Sequence, residues 1–255
     1  MLIKFKRILK VLLPNFVLKI YTNFLLNIKK NKFSKMTTKE VFKEIYEKKL
    51  WSPETEKKKF KFYSGTGSHH KDFSEKYIKE VSKFLMTFKN KPDVVDLGCG
   101  DFFIGSQLRK FCNKYVAIDI FDGLIDHNKK IYNDLNVEFK VSDITIDQLP
   151  SSEICFIKDV LQHLSNDLIK KFIKLIDKKY KYLIITEHLP ETKEFKANLD
   201  APTSAFIRLD KNSGVVLTEE PFNLQIIKEF DLCNITSKTI KEFQGVRNTK
   251  VLQLS

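Results

Sequence analysis

Asp93-Val94-Val95-Asp96-Leu97-Gly98-Cys99-Gly100-Asp101 is the stretch whose reading decides the fold. A short apolar run suited to a buried strand enters a turn with glycines at 98 and 100, and a helical pattern follows from about 104 to 111. Glycine is needed where the backbone turns tightly and lets a ligand approach within van der Waals distance. Many nucleotide-binding folds share that need, so the glycines alone do not choose among ligands. The neighbouring residues narrow the choice. A dinucleotide site presents a helix N-terminus to a diphosphate and requires G-x-G-x-x-G. Here Phe103 stands at the third glycine position, and Asp101 would set a negative charge against the diphosphate. Both disfavour an NAD-dependent oxidoreductase.

Working outward, short β-branched runs alternate with helical patterns, the mark of βαβ units and a parallel sheet. Strands are expected at Val94–Leu97, 115–120, Glu138–Val141, 153–158 and 182–186, with later strand-like runs at 234–239 and 251–254. Ser165 is expected to cap a helix with the apolar stripe Leu168, Phe172, Leu175 and Ile176. Right-handed crossovers put the carboxyl ends of the parallel strands on one edge. Upstream, Val41, Phe42 and Ile45 recur at helical spacing. The turn Ser64-Gly65-Thr66-Gly67-Ser68 then leads to a second helix marked by Tyr77, Val81, Phe84, Leu85 and Phe88. Between about 190 and 222 the pattern weakens and reads as an acceptor-side insertion, with a hairpin or long loop around Asn212-Ser213-Gly214.

Three expected strand ends carry acids. Asp96 lies at the carboxyl end of the first, one residue before Leu97, and can attract a cationic ligand group. Asp119, 23 residues later in Ile118-Asp119-Ile120, is placed to accept both hydroxyls of a ribose. In Ser142-Asp143-Ile144 the carboxylate can accept from an adenine amino group while Ile144 covers the ring. Singly, each acid is a common cap or turn residue; together with the glycine turn they suit S-adenosylmethionine, which has an ammonium, a sulfonium and no phosphate.

The segment 95–101, with Asp159-Val160-Leu161-Gln162-His163-Leu164 after the fourth strand, resembles class I S-adenosylmethionine-dependent methyltransferases. Within them it is similar to a bacterial subgroup linked to surface-glycan assembly. The resemblance covers roughly residues 40–190. It implies a doubly wound α/β fold with a mostly parallel seven-stranded sheet of order 3-2-1-4-5-7-6, the last strand antiparallel. The cofactor residues it implies are Asp96, Gly98, Cys99, Gly100, Asp119, Ile120, Asp143, Ile144, Asp159 and Val160. Many members have glycine where this chain has Phe102, and Gly105 supplies room nearby.

Methyl transfer is an in-line displacement, so alignment does much of the work and a base helps only when the nucleophile is a neutral hydroxyl. His163 and His188 follow the fourth and fifth strands on the cofactor edge and are the candidate bases. For His163 the alternative is a ring packed behind the cofactor and bonded to backbone. The segment 64–70, through Gly65 and Ser68, is read either as an anion nest over the methionine carboxylate or as a helix-initiating turn. Arg208, Asp200 and His69 are the candidate acceptor-binding residues, Arg208 for a phosphate or carboxylate; a surface ion pair is the commoner fate of an arginine. His69-His70 with Asp72 makes no metal site, because adjacent histidines point apart and no third ligand has diagnostic spacing.

Bulk properties set the limits. The 255 residues, 42% hydrophobic, support one principal domain over 36–255. Lys and Arg outnumber Asp and Glu by 45 to 32, but the excess is scattered, unlike the charged face of a DNA binder, so no DNA partner is expected. Four cysteines without a C-x-x-C pair fit reduced thiols of a cytoplasmic protein. Residues 1–35 form a basic amphipathic extension without an acidic residue. Lys10, Pro14 and Lys19 interrupt it, so it does not span a membrane. It is read either as packing on the domain or a second copy in a homodimer, or as peripheral contact with the inner membrane face.

The expected activity is O-methylation of a small or glycan-linked acceptor. Candidates are a sugar hydroxyl, or a phosphate or phosphoramidate oxygen of a capsule or lipopolysaccharide precursor, including nucleotide-activated ones. RNA methylation is the alternative prompted by a pI of 9.4. A non-catalytic cofactor-binding partner subunit is the alternative from another class.

Overall fold

The computed structural model describes residues 31–192, 194–236 and 244–255, so the basic segment 1–30 lies outside the described residues. Helices α1 (Thr38–Glu47), α2 (Thr66–His69) and α3 (Lys71–Leu85) precede the first strand. Then follow β1 (Val94–Leu97), α4 (Phe103–Leu108), β2 (Tyr115–Asp119), α5 (Asp122–Ile131), β3 (Glu138–Val141), β4 (Ser152–Lys158), α6 (Asn166–Ile176), β5 (Tyr180–Leu189), β6 (Ile226–Thr236) and β7 (Val246–Leu254). The seven strands form one sheet of order β3-β2-β1-β4-β5-β7-β6, as the resemblance implied. Only β7 runs against the rest: β1 to β5 pair in parallel, and β7 is antiparallel to both β5 and β6. No helix among the described residues is long and apolar enough to cross a membrane.

Alternation along the central strands divides the core between the two sheet faces. Val95, Leu97, Cys155, Ile157, Leu183 and Ile185 face one way and pack with Val41 and Ile45 of α1 and with Ile169, Phe172 and Ile176 of α6. Val94, Ile154, Phe156 and Ile184 face the other and meet Tyr77, Val81 and Leu85 of α3. Each fully buried Leu, Ile or Phe contributes roughly 1.5–3 kcal/mol of transfer free energy. α1 starts at a capping box: Thr37 accepts from the Glu40 amide while the Glu40 carboxylate accepts from the Thr37 amide.

The last two strands start earlier than expected, β7 beginning at Val246 rather than at 251. β6 begins at residue 226, not 234, and its pattern was hidden by register shifts between Ile226 and Lys228 and between Asp231 and Cys233. Such bulges break the period-two alternation, and β6 is also an edge strand. Of the hairpin and the long loop expected for the insertion, the structure shows the long loop, with no strand among its described residues between 190 and 222. A single 3-10 turn at Arg208–Lys211 interrupts otherwise irregular backbone. Asn198 holds it in place of a sheet: its amide nitrogen donates to the Val216 and Glu220 carbonyls at 2.8 Å, and its Oδ1 accepts from the Val216 amide at 2.8 Å.

Candidate active site

The turn after β1 is left-handed at Gly98 (φ 73°) and Gly100 (φ 58°). It is also crowded: a Cβ on Gly98 would sit 2.5 Å from a Val160 methyl, and one on Gly100 would sit 2.2 Å from the Ser64 hydroxyl. Side chains are excluded twice over, by conformation and by space. Phe102 adopts φ 61° with a fully buried ring, a backbone cost of roughly 1–2 kcal/mol for a residue with a Cβ. Its ring meets those of Phe139, Tyr132 and Tyr115 at 4.9, 5.2 and 5.4 Å, contacts that offset the cost. Gly105 makes room for it, since a Cβ there would lie 2.3 Å from the Phe102 ring.

Around this turn opens a cavity of about 360 Å³ over the carboxyl ends of the strands. Asp96, Asp119 and Asp143 line one half of it with Cys99, Ile120 and Ile144. Asp96 accepts from the Tyr115 hydroxyl at 2.9 Å, and burial pushes its carboxyl up to about 7. Asp119 accepts from the amides of Gly100 at 3.1 Å and Phe121 at 3.2 Å. Burial still pushes it up to about 6, because removing water from a carboxylate outweighs two backbone donors. Asp143 accepts from the Thr145 amide at 2.8 Å and hydroxyl at 2.6 Å, which fixes its turn.

Asp101, also in the cavity lining, fastens the segment before α3. It accepts from the Ser64 amide at 2.9 Å and lies 2.6 Å from His69 Nε2, while its own amide donates to the Ser64 hydroxyl at 2.7 Å. This clasp holds Gly65, Thr66, Gly67 and Ser68 along the cavity wall. His69 is thereby taken out of acceptor binding. Its ring stacks between Tyr63 at 4.3 Å and Phe103 at 4.6 Å and is not part of the cavity lining.

The other half of the cavity is built from β4, β5, β7, α1 and the insertion. His163 and His188 both line it, and burial pushes both down to about 4, so neutral rings stand there at neutral pH. His163 Nδ1 lies 3.3 Å from the Phe206 carbonyl. A carbonyl only accepts, so Nδ1 carries the proton and the Nε2 lone pair points toward Gln162, 3.4 Å away. Its ring packs on Trp51 at 4.7 Å, and the Trp51 indole donates to the Ala205 carbonyl at 3.1 Å, tying the insertion to the N-terminal helices. His188 Nε2 donates to the Gln244 carbonyl at 2.6 Å.

At the carboxyl end of β4, Asp159 has φ 57° and pairs with Lys158 at 2.6 Å and Arg247 at 3.3 Å. Burial disfavours its charge, but the two cations prevail and hold its carboxyl well below the usual range. Val160 lines the cavity beside Gly98.

Arg208 and Asp200 are corrections. Arg208 is 1% exposed, and its five N–H groups go to the carbonyls of Leu199, Leu161, Gln162 and Leu164 and to Asn166 Oδ1. A guanidinium has five such donors, so none is left for an acceptor molecule. Asp200 accepts from the Asn166 amide at 2.8 Å and so caps α6; Ser165 occupies the cap position but its side chain makes no capping bond. Neither Arg208 nor Asp200 lines the cavity.

Sequence reasoning missed Trp51, Tyr46, Tyr77, Lys158 and Arg247, all of which line the cavity. A lysine ending the apolar run Ile154-Cys155-Phe156-Ile157 was a usable signal, because such a strand end stays half-buried. Arg247 had none: the antiparallel pairing of β7 with β5 sets it opposite His188.

Comparisons with known proteins bear on the fold. No family model matches the chain. A curated relative, phosphoethanolamine N-methyltransferase 1 of Triticum aestivum, is 29% identical over 117 residues, 44% of this chain and 23% of that protein. The chain thus matches less than a quarter of that relative's length. Magnesium protoporphyrin IX methyltransferase from Synechocystis PCC 6803, solved with S-adenosylmethionine, superposes with TM-score 0.53 and 14% identity, over 86% of this chain and 98% of that one. The N-methyltransferase NodS from Bradyrhizobium japonicum WM9, solved with S-adenosylhomocysteine, gives TM-score 0.52 at 11% identity, over 72% and 89%. A methyltransferase from Clostridium acetobutylicum ATCC 824 gives 0.51 at 12%, over 74% and 96%. The fold is that of S-adenosylmethionine-dependent methyltransferases.

Proposed function

We propose that this chain is an S-adenosylmethionine-dependent methyltransferase acting on a small or glycan-linked acceptor. One observation carries the reading: Asp96, Asp119 and Asp143 lie at or within two residues of the carboxyl ends of three neighbouring strands around a glycine turn and line one cavity. The donor set fits the cofactor, since buried carboxylates suit an ammonium and ribose hydroxyls, and Ile120 and Ile144 supply apolar walls for a purine. In this reading Asp119 holds the ribose, Asp143 and Ile144 the adenine, and Asp96 with the Gly98–Gly100 backbone the cationic end. Bound there, the cofactor supplies an electrophilic methyl group.

The protein's own part is to orient the acceptor and exclude water. Trp51, Phe42, Phe206 and Ile207 roof the acceptor half. His163 and His188, held near 4, are weak bases whose lone pairs can accept a hydrogen bond and position a nucleophile. The finer reading is O-methylation of a sugar hydroxyl or of a phosphate or phosphoramidate oxygen in a capsular or nucleotide-activated precursor. It is supported by the surface-glycan resemblance. A nitrogen acceptor is the second reading, favoured by the N-methyltransferase relative. Cytoplasmic residence, with the basic segment 1–30 against the inner membrane face or a second copy, belongs to the same proposal and rests on the sequence alone.

The test is S-adenosylhomocysteine release with nucleotide-linked sugars, phosphoramidates and small amines. Turnover confined to RNA or protein would overturn the acceptor class. Cofactor binding without turnover on any fraction of a cell extract would favour a non-catalytic subunit.

A further inference from the structure

Charge changes sign across the cavity rim. Asp143, Asp119 and Asp96 stand on the β3–β2–β1 side, whereas the cations Lys158 and Arg247 stand with Asp159 and the neutral His188 on the β4–β5–β7 side. The side chains of Lys158, Asp159 and Arg247 are 11%, 14% and 12% exposed. Lys158 donates to Asp159 at 2.6 Å and to the Gly67 carbonyl at 3.1 Å. The Arg247 guanidinium lies 4.6 Å from the centre of the Phe73 ring, and Lys158 lies 5.5 Å from that of Tyr77. Gly67 permits this closeness, because a Cβ there would lie 2.6 Å from the guanidinium carbon. Two cations thus share one carboxylate in a wall of aromatic rings. Asp96, on the other side, accepts from the Tyr115 hydroxyl, and Asp210, also in the lining, is exposed.

A surplus positive charge in a wall short of water interacts most favourably with an anion that can be desolvated against it. The acid half takes the cationic cofactor in the methyltransferase reading, which leaves the basic half facing the acceptor. Resting on that reading, we propose that Lys158 and Arg247 form a binding site for an anionic group, carboxylate or phosphate, carried by the methyl acceptor. The sequence had given this role to Arg208; the fold gives it to two residues 89 positions apart.

The cofactor's own carboxylate is the other source of the same chemistry, and calorimetry separates the two. Inorganic phosphate is titrated into protein saturated with S-adenosylhomocysteine. The wild type is expected to bind it, Arg247→Met and Lys158→Met to bind it about tenfold or more weakly, and Arg247→Lys to fall between. S-adenosylhomocysteine affinity should stay within about threefold in all three variants. The site is overturned if phosphate fails to bind the loaded wild type, or binds the Met variants equally well. It is also overturned if Arg247→Met loses S-adenosylhomocysteine affinity but keeps that for 5′-methylthioadenosine, which lacks the carboxylate; the cations would then serve the cofactor. Failure of the wild type to bind S-adenosylhomocysteine at all would sink the methyltransferase reading and this site with it.

Discussion

The two halves of the cavity are built by different means. The acid half comes from local sequence: each of its carboxylates sits at or just after the end of its own strand, beside the turn that strand enters. The basic half is assembled from a β4 end, a β7 start, α1 and a long irregular insertion, brought together only by packing. Motif reading therefore locates the lining residues of one half, whereas in the other it finds His163 and His188 but places Arg208 and Asp200 in a cavity they do not line. An arginine in the insertion is a natural candidate for a ligand, yet Arg208 holds the insertion to the turn at Leu161–His163.

The largest effect expected is on that scaffold. Arg208→Met removes a guanidinium donor from four carbonyls and an amide oxygen, and should lower unfolding free energy by roughly 3–5 kcal/mol in urea titrations. A stability change under about 1 kcal/mol with lost turnover would return Arg208 to the acceptor site. Next, Asp119→Ala should weaken cofactor binding by about a hundredfold or more in calorimetry, while His163→Ala stays within a few fold. Comparable losses in both would erase the distinction between the halves.

Acidity separates them more gently. Burial raises the folded-state values of Asp96 to about 7 and Asp119 to about 6, so the protonated forms are favoured by folding. The stability these two groups give the unliganded protein is fully present below about pH 4 and is lost as pH rises through 6 to 7. A cationic ligand needs the carboxylates, so S-adenosylmethionine affinity should run the opposite way and rise about tenfold between pH 5.5 and 8. Both buried histidines stay neutral across that window. Flat affinity would remove Asp96 and Asp119 from the cofactor half. The smallest effect belongs to Asp200→Ala, a lost helix cap of about 1 kcal/mol in the same urea titration, with acceptor kinetics unchanged.

Asp119 could be found because a parallel strand puts its last residue on the functional edge and period-two alternation marks where the strand ends. The glycines at 98 and 100 could be found because a crowded left-handed turn after a buried strand excludes a Cβ. The clasp of Asp101 with Ser64 and His69 could not be found, because it joins positions 37 and 32 residues apart through geometry that no periodicity encodes. The β6 start was hidden by its bulges.

By itself the sequence determined the parallel α/β pattern and the positions of the glycine turn and the strand-end acids, since strand alternation and backbone turns are written in neighbouring residues; the sheet order followed from the family resemblance. Which cations line the cavity was decided only in three dimensions. Whether an arginine stays buried among carbonyls or lines a cavity depends on what distant segments bring to it: Arg208 met backbone oxygens, and Arg247 met the cavity wall.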